Sequence, residues 1–157
     1  MNKVPVIKKS IFINAPMEKA YHFSKNVKYW GCWYAGLADP ENLVGDGGLG
    51  TVYESKFSLM GHIFPIKLEV IEDNFTPEIA IRKGVFKGTV DTIQTSTFVP
   101  KGNGTEVTFE IELSVPAVVD DNPINNEYLF LKTRENLLAN ALENLRDFVE
   151  FHYGHKS

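Results

Sequence analysis

The sequence predicts an α+β fold in which a curved antiparallel sheet of about seven strands wraps around a long C-terminal helix, with two short helices after the first strand. Apolar residues recur at helical spacing over a long stretch only at residues 123–153. Residues 50–115 instead contain alternating segments separated by turn residues, at the spacing of an antiparallel meander. This order of elements predicts a single domain over residues 1–157.

The first strand is predicted over Val6–Asn14, where isoleucines alternate with polar residues as in a strand with one buried face. Pro16 ends this strand, because it cannot donate to a sheet ladder but suits the first turn of a helix. We therefore expect a helix over Met17–Ser24 and a second helical turn near Asn26–Trp30. A polar, glycine-rich passage over residues 38–50 separates these helices from the sheet.

Further strands are predicted over residues 51–59, 64–72, 78–83, 86–99 and 107–115. The last of these has the cleanest alternation, and Asn103-Gly104 before it predicts a hairpin turn with positive φ. The strand over 86–99 is polar on both faces. Any of its polar side chains that face the core must have internal hydrogen-bond partners.

The C-terminal helix is predicted to start with Asn122 as its cap and Pro123 in its first turn, and to end at Gly154. Its apolar stripe comprises Leu131, Leu138, Leu142, Leu145 and Val149, with Ala141 and Phe148 on the flank. Glu127 and Arg134 fall on this stripe instead of the solvated face. They are therefore candidates for polar groups at a buried site.

Composition restricts the classes of partner. The net charge of -4 and the pI of about 5.6 argue against nucleic-acid binding, which needs a basic patch. Cys32 is the only cysteine, so a disulfide within the chain is excluded and a reducing, cytoplasmic location is expected. Apolar runs are too short to predict a transmembrane segment, and the first residues lack the apolar core of a signal peptide.

Motifs for cofactor, metal or nucleophile chemistry are weak. Gly45–Gly50 matches G-x-G-x-x-G, but it leads into a strand and not into the helix that would hold a pyrophosphate. We therefore predict no cofactor and a flexible loop at the mouth of a cavity. The histidines show no metal-ligand spacing with a carboxylate, and Cys32 has no nearby histidine to produce a thiolate. The sequence identifies no catalytic residue and no metal site.

A set of mostly aromatic residues is interpreted as the lining of a ligand pocket. Any one of them fits an ordinary core, but together they favour a cavity, because ligand sites are mostly apolar with a few directed polar groups. Gln94 and Ser96 share a strand face with Phe98 and are candidates for those polar groups. The predicted ligand-binding residues are Trp30, Trp33, Tyr34, Tyr53, Phe57, Phe64, Gln94, Phe98, Glu127, Arg134, Leu138 and Leu142.

Several local strings, in this order, resemble the START-like (SRPBCC) superfamily, which includes polyketide cyclases, lipid-transfer domains and proteins similar to the birch-pollen allergen. These strings are residues 11–16 with Glu18 and Ala20-Tyr21, Trp30, Gly48-Leu49-Gly50, Val70-Ile71-Glu72 and residues 104–108. The resemblance covers nearly the whole chain. It implies the helix-grip fold and a cavity between the sheet and the C-terminal helix that holds an apolar or amphipathic small molecule.

Three functions are compatible with this resemblance, because a fold does not fix a function. The preferred hypothesis is a carrier or sensor of a hydrophobic or amphipathic small molecule, such as a lipid or a polyketide-like compound. The alternative is a cyclase or dehydratase that uses acid–base groups, with Glu127, Arg134, Tyr53 and Gln94 as candidates. The third is a chaperone-cofactor-like interaction module, for which Phe151 and Leu129 are the exposed apolar candidates.

Arg134 allows two interpretations. In the first, its stem covers apolar surface while its guanidinium reaches water or pairs with an acidic side chain. In the second, its guanidinium points into the cavity and binds an anionic headgroup. The second requires Glu127 or a ligand oxygen within hydrogen-bond reach, since an unpaired buried charge is costly. It predicts that Arg134→Met weakens binding of acidic amphiphiles more than binding of neutral ones.

Overall fold

The computed structural model describes residues 5–34, 36–59, 61–88, 91–113 and 127–154. Seven strands form one antiparallel sheet in the order β1-β7-β6-β5-β4-β3-β2, which confirms the predicted fold class. The strands are β1 Val6–Ile13, β2 Glu41–Val44, β3 Val52–Leu59, β4 His62–Phe75, β5 Ala80–Gly88, β6 Thr92–Lys101 and β7 Gly104–Leu113. The helices are α1 Met17–Lys25, a 3-10 turn at Val27–Tyr29, α2 Trp30–Trp33 and α3 Glu127–Tyr153.

Helix α3 buries its apolar stripe and packs mainly against β1, with smaller contacts to α1, α2 and β7. The buried stripe residues are Phe130, Leu138, Ala141, Leu142, Leu145 and Val149, and Leu131 is half-buried. Lys9 Nζ on β1 donates to Glu135 Oε1 at 3.0 Å, which ties the helix to the edge of the sheet. Gly154 N donates to Glu150 O at 2.9 Å and ends the helix where the sequence predicts. The predicted start at Asn122 and Pro123 lies outside the described residues.

Three strand predictions are corrected. Residues 41–44 form β2, which the sequence did not predict because all four side chains are exposed and show no alternation. The strand predicted over 78–83 is β5 and runs from Ala80 to Gly88. The long strand predicted over 86–99 is therefore divided, with Phe86 in β5 and β6 beginning at Thr92. A hydrogen bond of 3.2 Å from Gly88 N to Asp91 Oδ1 joins the last residue of β5 to the residue before β6.

Two local details explain why the sheet bends and turns where it does. The register of β4 against β5 shifts between Val70 and Glu72, and such a bulge increases local twist and curvature. The hairpin between β6 and β7 is confirmed, with Lys101 paired to Gly104. The residue with positive φ is Gly102, at +60°, and not Gly104 as predicted.

Candidate functional site

A pocket of about 70 Å³ lies between the α1–α2 segment and strands β4 to β7. Its lining residues are Ser24, Trp30, Trp33, Tyr34, Leu37, Leu68, Val70, Arg82, Lys83, Gly84, Phe86, Gln94, Ser96 and Phe109. Among the described residues, helix α3 contributes none of this lining. The described lining thus comes from the α1–α2 segment and the sheet, whereas the resemblance implied a cavity between the sheet and α3. Helix α2 contacts α3, and its tryptophan rings contact the sheet at Tyr53 and Phe109.

The aromatic wall of the pocket is built by Trp30 and Trp33 of α2 and by Tyr34, which follows that helix. Trp30 Nε1 donates to Ser24 O at 2.7 Å, and Tyr34 N donates to Trp30 O at 2.9 Å. The Trp33 ring lies 5.9 Å from Phe109, and the Tyr34 ring lies 6.4 Å from Phe86, both in tilted arrangements. Residues Trp30–Trp33, which follow the predicted second helical turn, therefore form a short helix that lines one side of the pocket.

The polar wall lies on β6. Tyr34 Oη donates to Gln94 Oε1 at 2.9 Å, and Gln94 Nε2 donates to Ser96 Oγ at 3.4 Å. Burial raises the pKa of Tyr34, and the nearby Arg134 guanidinium opposes this shift only in part. Tyr34 is accordingly protonated at neutral pH and acts as a hydrogen-bond donor. These contacts supply the internal partners that the polar strand β6 requires.

Arg82 belongs to a buried charged cluster beside the pocket. Its guanidinium lies 5.8 Å from the centre of the Trp30 ring, its Nη2 donates to Gly47 O, and its Nε lies 3.6 Å from Asp73 Oδ1. Asp73 also accepts a hydrogen bond from Tyr21 Oη and pairs with Lys25 Nζ at 3.0 Å. Burial lowers the pKa of Arg82, while Asp73 opposes that effect. Two cations thus share one buried carboxylate.

The glycine-rich loop is docked against this cluster. Gly47 and Gly48 are buried, unlike the flexible loop that the sequence predicts. Gly47 N donates to Thr51 Oγ1 at 2.9 Å, and Gly48 N donates to Asp46 Oδ1 at 3.0 Å. The loop therefore holds its shape through its own hydrogen bonds and through the bond from Arg82.

The predicted site residues fall into two groups. Trp30, Trp33, Tyr34 and Gln94 line the pocket. The others do not appear in the lining. Those buried in the core are Tyr53, Phe57, Phe98, Leu138 and Leu142, while Phe64 is half-buried against it. Arg134 is buried, and its guanidinium lies 5.1 Å from the centre of the Phe57 ring. The side chain of Glu127 lies outside the described part of the structure.

Arg82 is the main site residue that the sequence analysis missed. It is buried on β5 together with Ala80, two positions away, whereas Ile81 between them is only half-buried. A charged residue at an inward position of a strand was the available signal. The predicted boundary at residue 83 obscured it, because the short segment showed too few repeats to establish which face is buried.

Other kinds of site find no support in the described residues. They contain no group of three or more histidine, cysteine, aspartate or glutamate side chains placed to hold a metal ion. Cys32 is a free, exposed thiol. Within the described ranges, no helix is long and apolar enough to cross a membrane. The cytoplasmic location inferred from the single cysteine stays a prediction.

The cluster around Asp73 predicts a loss of stability in alkaline solution. Burial and Asp73 raise the pKa of Tyr21 above its ordinary value of 10.0. For Lys25, burial lowers the pKa, but the hydrogen bond and charge of Asp73 together raise it above 10.5. Groups whose pKa is raised on folding stabilise the protein below their unfolded pKa, and that contribution is lost as pH rises through the folded value.

We therefore expect the free energy of unfolding to fall as pH rises above 10.0, with a smaller slope in Tyr21→Phe than in the wild type. Urea unfolding measured from neutral pH to about pH 11 gives this slope. Tyr128→Phe is the control, because Tyr128 is 72% exposed and should keep the wild-type slope. Equal slopes for Tyr21→Phe and the wild type would contradict the role assigned to the Tyr21–Asp73 contact.

Comparisons with known proteins support the fold. No protein-family model and no curated protein sequence matches the chain. Among solved structures, a Thermus thermophilus protein is 19% identical, with a TM-score of 0.76 over 94% of this chain and 99% of the other. An aromatase/cyclase from a Streptomyces species is 11% identical, with a TM-score of 0.73 over 94% of both chains.

Norcoclaurine synthase from Thalictrum flavum, solved with dopamine and hydroxybenzaldehyde, is 17% identical, with a TM-score of 0.66 over 98% of this chain and 90% of the other. At these identities the similarity is one of fold. The long C-terminal helix, the curved seven-stranded sheet and the two short helices after β1 all take part in it. The chain therefore has the helix-grip fold, as predicted.

Proposed function

We propose that the protein binds a small amphipathic molecule in the pocket between α2 and strands β4 to β7. The observation that carries this proposal is a pair of hydrogen-bond donors without acceptors, on two residues that line the pocket. Trp33 Nε1 and Arg82 Nε are buried and have no hydrogen-bond partner within the described part of the chain, and both residues line the pocket. A buried donor without an acceptor costs about 1–3 kcal/mol, so a ligand with an acceptor oxygen would remove that cost.

The size of the pocket limits what it can hold. On the scale where one water needs about 10–15 Å³, a pocket of about 70 Å³ has room for about five waters. This volume suits a short apolar group or part of a ring better than a long lipid chain. We infer that the polar end of the ligand points toward Arg82 or Gln94, while its apolar part contacts Trp30, Trp33 and Phe109.

The enzymatic alternative has weaker support from this site. Acid–base catalysis at neutral pH needs a group with a pKa near that pH, and the described lining includes no carboxylate and no histidine. Burial raises the pKa of Tyr34, so it would not act as a base. A cyclase or dehydratase role stays a prediction, and turnover of aromatic-polyketide or lactone substrates by the wild type would establish it.

The interaction-module alternative also has weaker support among the described residues. Phe151 is 83% exposed and Leu129 is 45% exposed, as predicted. They are separated along α3 by a length of about 33 Å, from about 1.5 Å per residue, so the two side chains cannot form one compact patch. We therefore favour ligand binding over recognition of a protein partner through these residues.

Two measurements test ligand binding. Native mass spectrometry of freshly purified protein should show an added mass that disappears after solvent extraction. Trp30 and Trp33 are the only tryptophans in the chain, and both line the pocket, so intrinsic fluorescence reports on its occupancy. We expect short amphiphiles such as phenylacetamide or hexanamide to shift the emission in a saturable way. Absence of both a co-purified mass and any saturable shift would refute the proposal.

Filling the pocket provides a genetic test. Gly84 lies in β5 and lines the pocket, and the nearest atom to an added Cβ is Glu69 O at 3.8 Å. The Cβ of Gly84→Val would thus make only ordinary van der Waals contact. We expect its methyl groups to occupy part of the pocket and to weaken ligand binding at least about tenfold, which corresponds to about 1.4 kcal/mol.

Val85→Leu is the matched control, since the next side chain on a strand points to the opposite face. We expect it to leave ligand binding unchanged in the fluorescence titration. Unaltered binding by a folded Gly84→Val variant would place the ligand elsewhere.

A further inference from the structure

The balance of charge around the pocket points to the class of its ligand. Lys25 and Arg82 are both paired with Asp73, which is the buried carboxylate of this cluster. Asp46 acts on Arg82 through its charge, but it is exposed and therefore screened by solvent. Lys83 belongs to the pocket lining, and Arg134 adds a further cation next to Tyr34. The described surroundings of the pocket are thus richer in buried positive than in buried negative charge.

Within this cluster, Arg82 is the cation with unused binding capacity. Asp73 Oδ1 accepts a hydrogen bond from the Tyr21 hydroxyl, and Asp73 Oδ2 lies 3.0 Å from Lys25 Nζ. The distance from Arg82 Nε to Asp73 Oδ1 is 3.6 Å, which is too long for a hydrogen bond. The Nε–H of Arg82 is buried without an acceptor among the described residues. The contact of its Nη2 with Gly47 O and its position over Trp30 hold the guanidinium in place at the pocket wall.

Arg134 differs from Arg82 in its position and not in its burial. The two residues are 7% and 8% exposed, and both have a buried Nε without a partner in the described part of the chain. Only Arg82 lines the pocket, while Arg134 lies against Phe57 and Tyr34. Arg134 is therefore a matched control for the effect of removing a buried arginine.

We propose that the natural ligand is a small carboxylate with an apolar body, and that Arg82 is the residue that binds the carboxylate group. This inference rests on the proposed function and adds the charge of the ligand and its anchor. A guanidinium presents several N–H donors in a planar fork, which matches the two oxygens of a carboxylate. The incompletely compensated charge of Arg82 would be neutralised by such a ligand, and not by an alcohol or an amide.

The test compares acids with neutral molecules of the same shape. Phenylacetate and phenylacetamide form one pair, and hexanoate and hexanamide form another. Each is titrated into the wild type, Arg82→Met and Arg134→Met at neutral pH, with tryptophan fluorescence and calorimetry as readouts. Asp73 keeps Lys25 and Tyr21 as partners in Arg82→Met, so we expect that variant to fold.

We expect the wild type to bind each acid about 10- to 100-fold more tightly than its amide, the range for a hydrogen bond to a charged group. Arg82→Met should lose this preference while keeping amide binding, and Arg134→Met should retain the preference. The wild-type comparison does not depend on the folding of any variant.

Three results would overturn the inference. Equal affinity of the wild type for acid and amide would refute the claim that the ligand is an anion, but it would leave the proposed function intact. Loss of acid preference in Arg134→Met but not in Arg82→Met would make Arg134 the anchor, as the sequence hypothesis has it. Failure of both acids and both amides to bind the wild type would count against the proposed function itself.

Discussion

Phe130→Ala is expected to lower the free energy of unfolding by about 3–5 kcal/mol, the range for removing a buried phenylalanine. Phe130 lies in α3 and its side chain is 0% exposed. The substitution removes the apolar surface buried by the ring and leaves a cavity that the surrounding core fills only in part. Urea or guanidinium unfolding, followed by circular dichroism, measures the change.

Phe151→Ala is the control for this prediction. Phe151 lies in the same helix but is 83% exposed, so its replacement should change the free energy of unfolding by no more than about 0.5 kcal/mol. Alanine also favours helix slightly more than phenylalanine does, which affects both variants alike. Similar losses in the two variants would contradict the assignment of the effect to burial of the Phe130 ring, since helix propensity favours alanine at both positions.

Gly47→Ala is expected to destabilise the protein by more than about 3 kcal/mol, because strain and a steric clash act together. Gly47 has φ of +107°, which costs energy for any residue with a Cβ, and an added Cβ would lie 2.0 Å from Lys25 O. The loop must therefore move away from α1. Since Gly47 O accepts a hydrogen bond from Arg82, the movement should also weaken ligand binding.

Gly50→Ala measures the cost of backbone strain without a steric clash. Gly50 has φ of +86°, also in the left-handed region, but an added Cβ would meet no atom within 4 Å. We expect this variant to lose only the strain term of about 1–3 kcal/mol and to keep the wild-type response to ligand. Thermal and chemical unfolding of the two variants, with fluorescence titration, gives both comparisons. Equal stability of Gly47→Ala and Gly50→Ala would contradict the docking of Gly47 against α1.

Part of the lining of the candidate pocket could be anticipated from sequence, but Arg82 could not. Trp30, Trp33 and Tyr34, three of the aromatic residues predicted to line a ligand pocket, all belong to the lining of this pocket. Gln94 was found because a polar residue on a core-facing strand needs a partner, and Tyr34 is that partner. Arg82 meets Asp73 and the carbonyl of Gly47 only in three dimensions, through segments far apart in the chain.

The sequence by itself determined the class and order of the elements. The alternation in residues 107–113 and the helical stripe that includes Leu138, Leu142 and Leu145 are periodic signals, and burial of one face follows directly from each. The exposed edge strand β2 carries no such signal, since neither of its faces is buried. For that reason β2 was not predicted. The division between β5 and β6, two inner strands, was not predicted because residues 86–99 are polar on both faces.

Only the tertiary structure decided which buried residues face the pocket. Periodicity identifies the inward face of an element, but it does not distinguish a side chain that lines a cavity from one that fills the core behind it. Tyr53 and Phe98 fulfil the same pattern as Gln94, yet only Gln94 lines the pocket. The difference depends on how the rings of α2 pack on the sheet, as in the contacts of Trp30 with Tyr53 and of Trp33 with Phe109, and this packing joins distant parts of the chain.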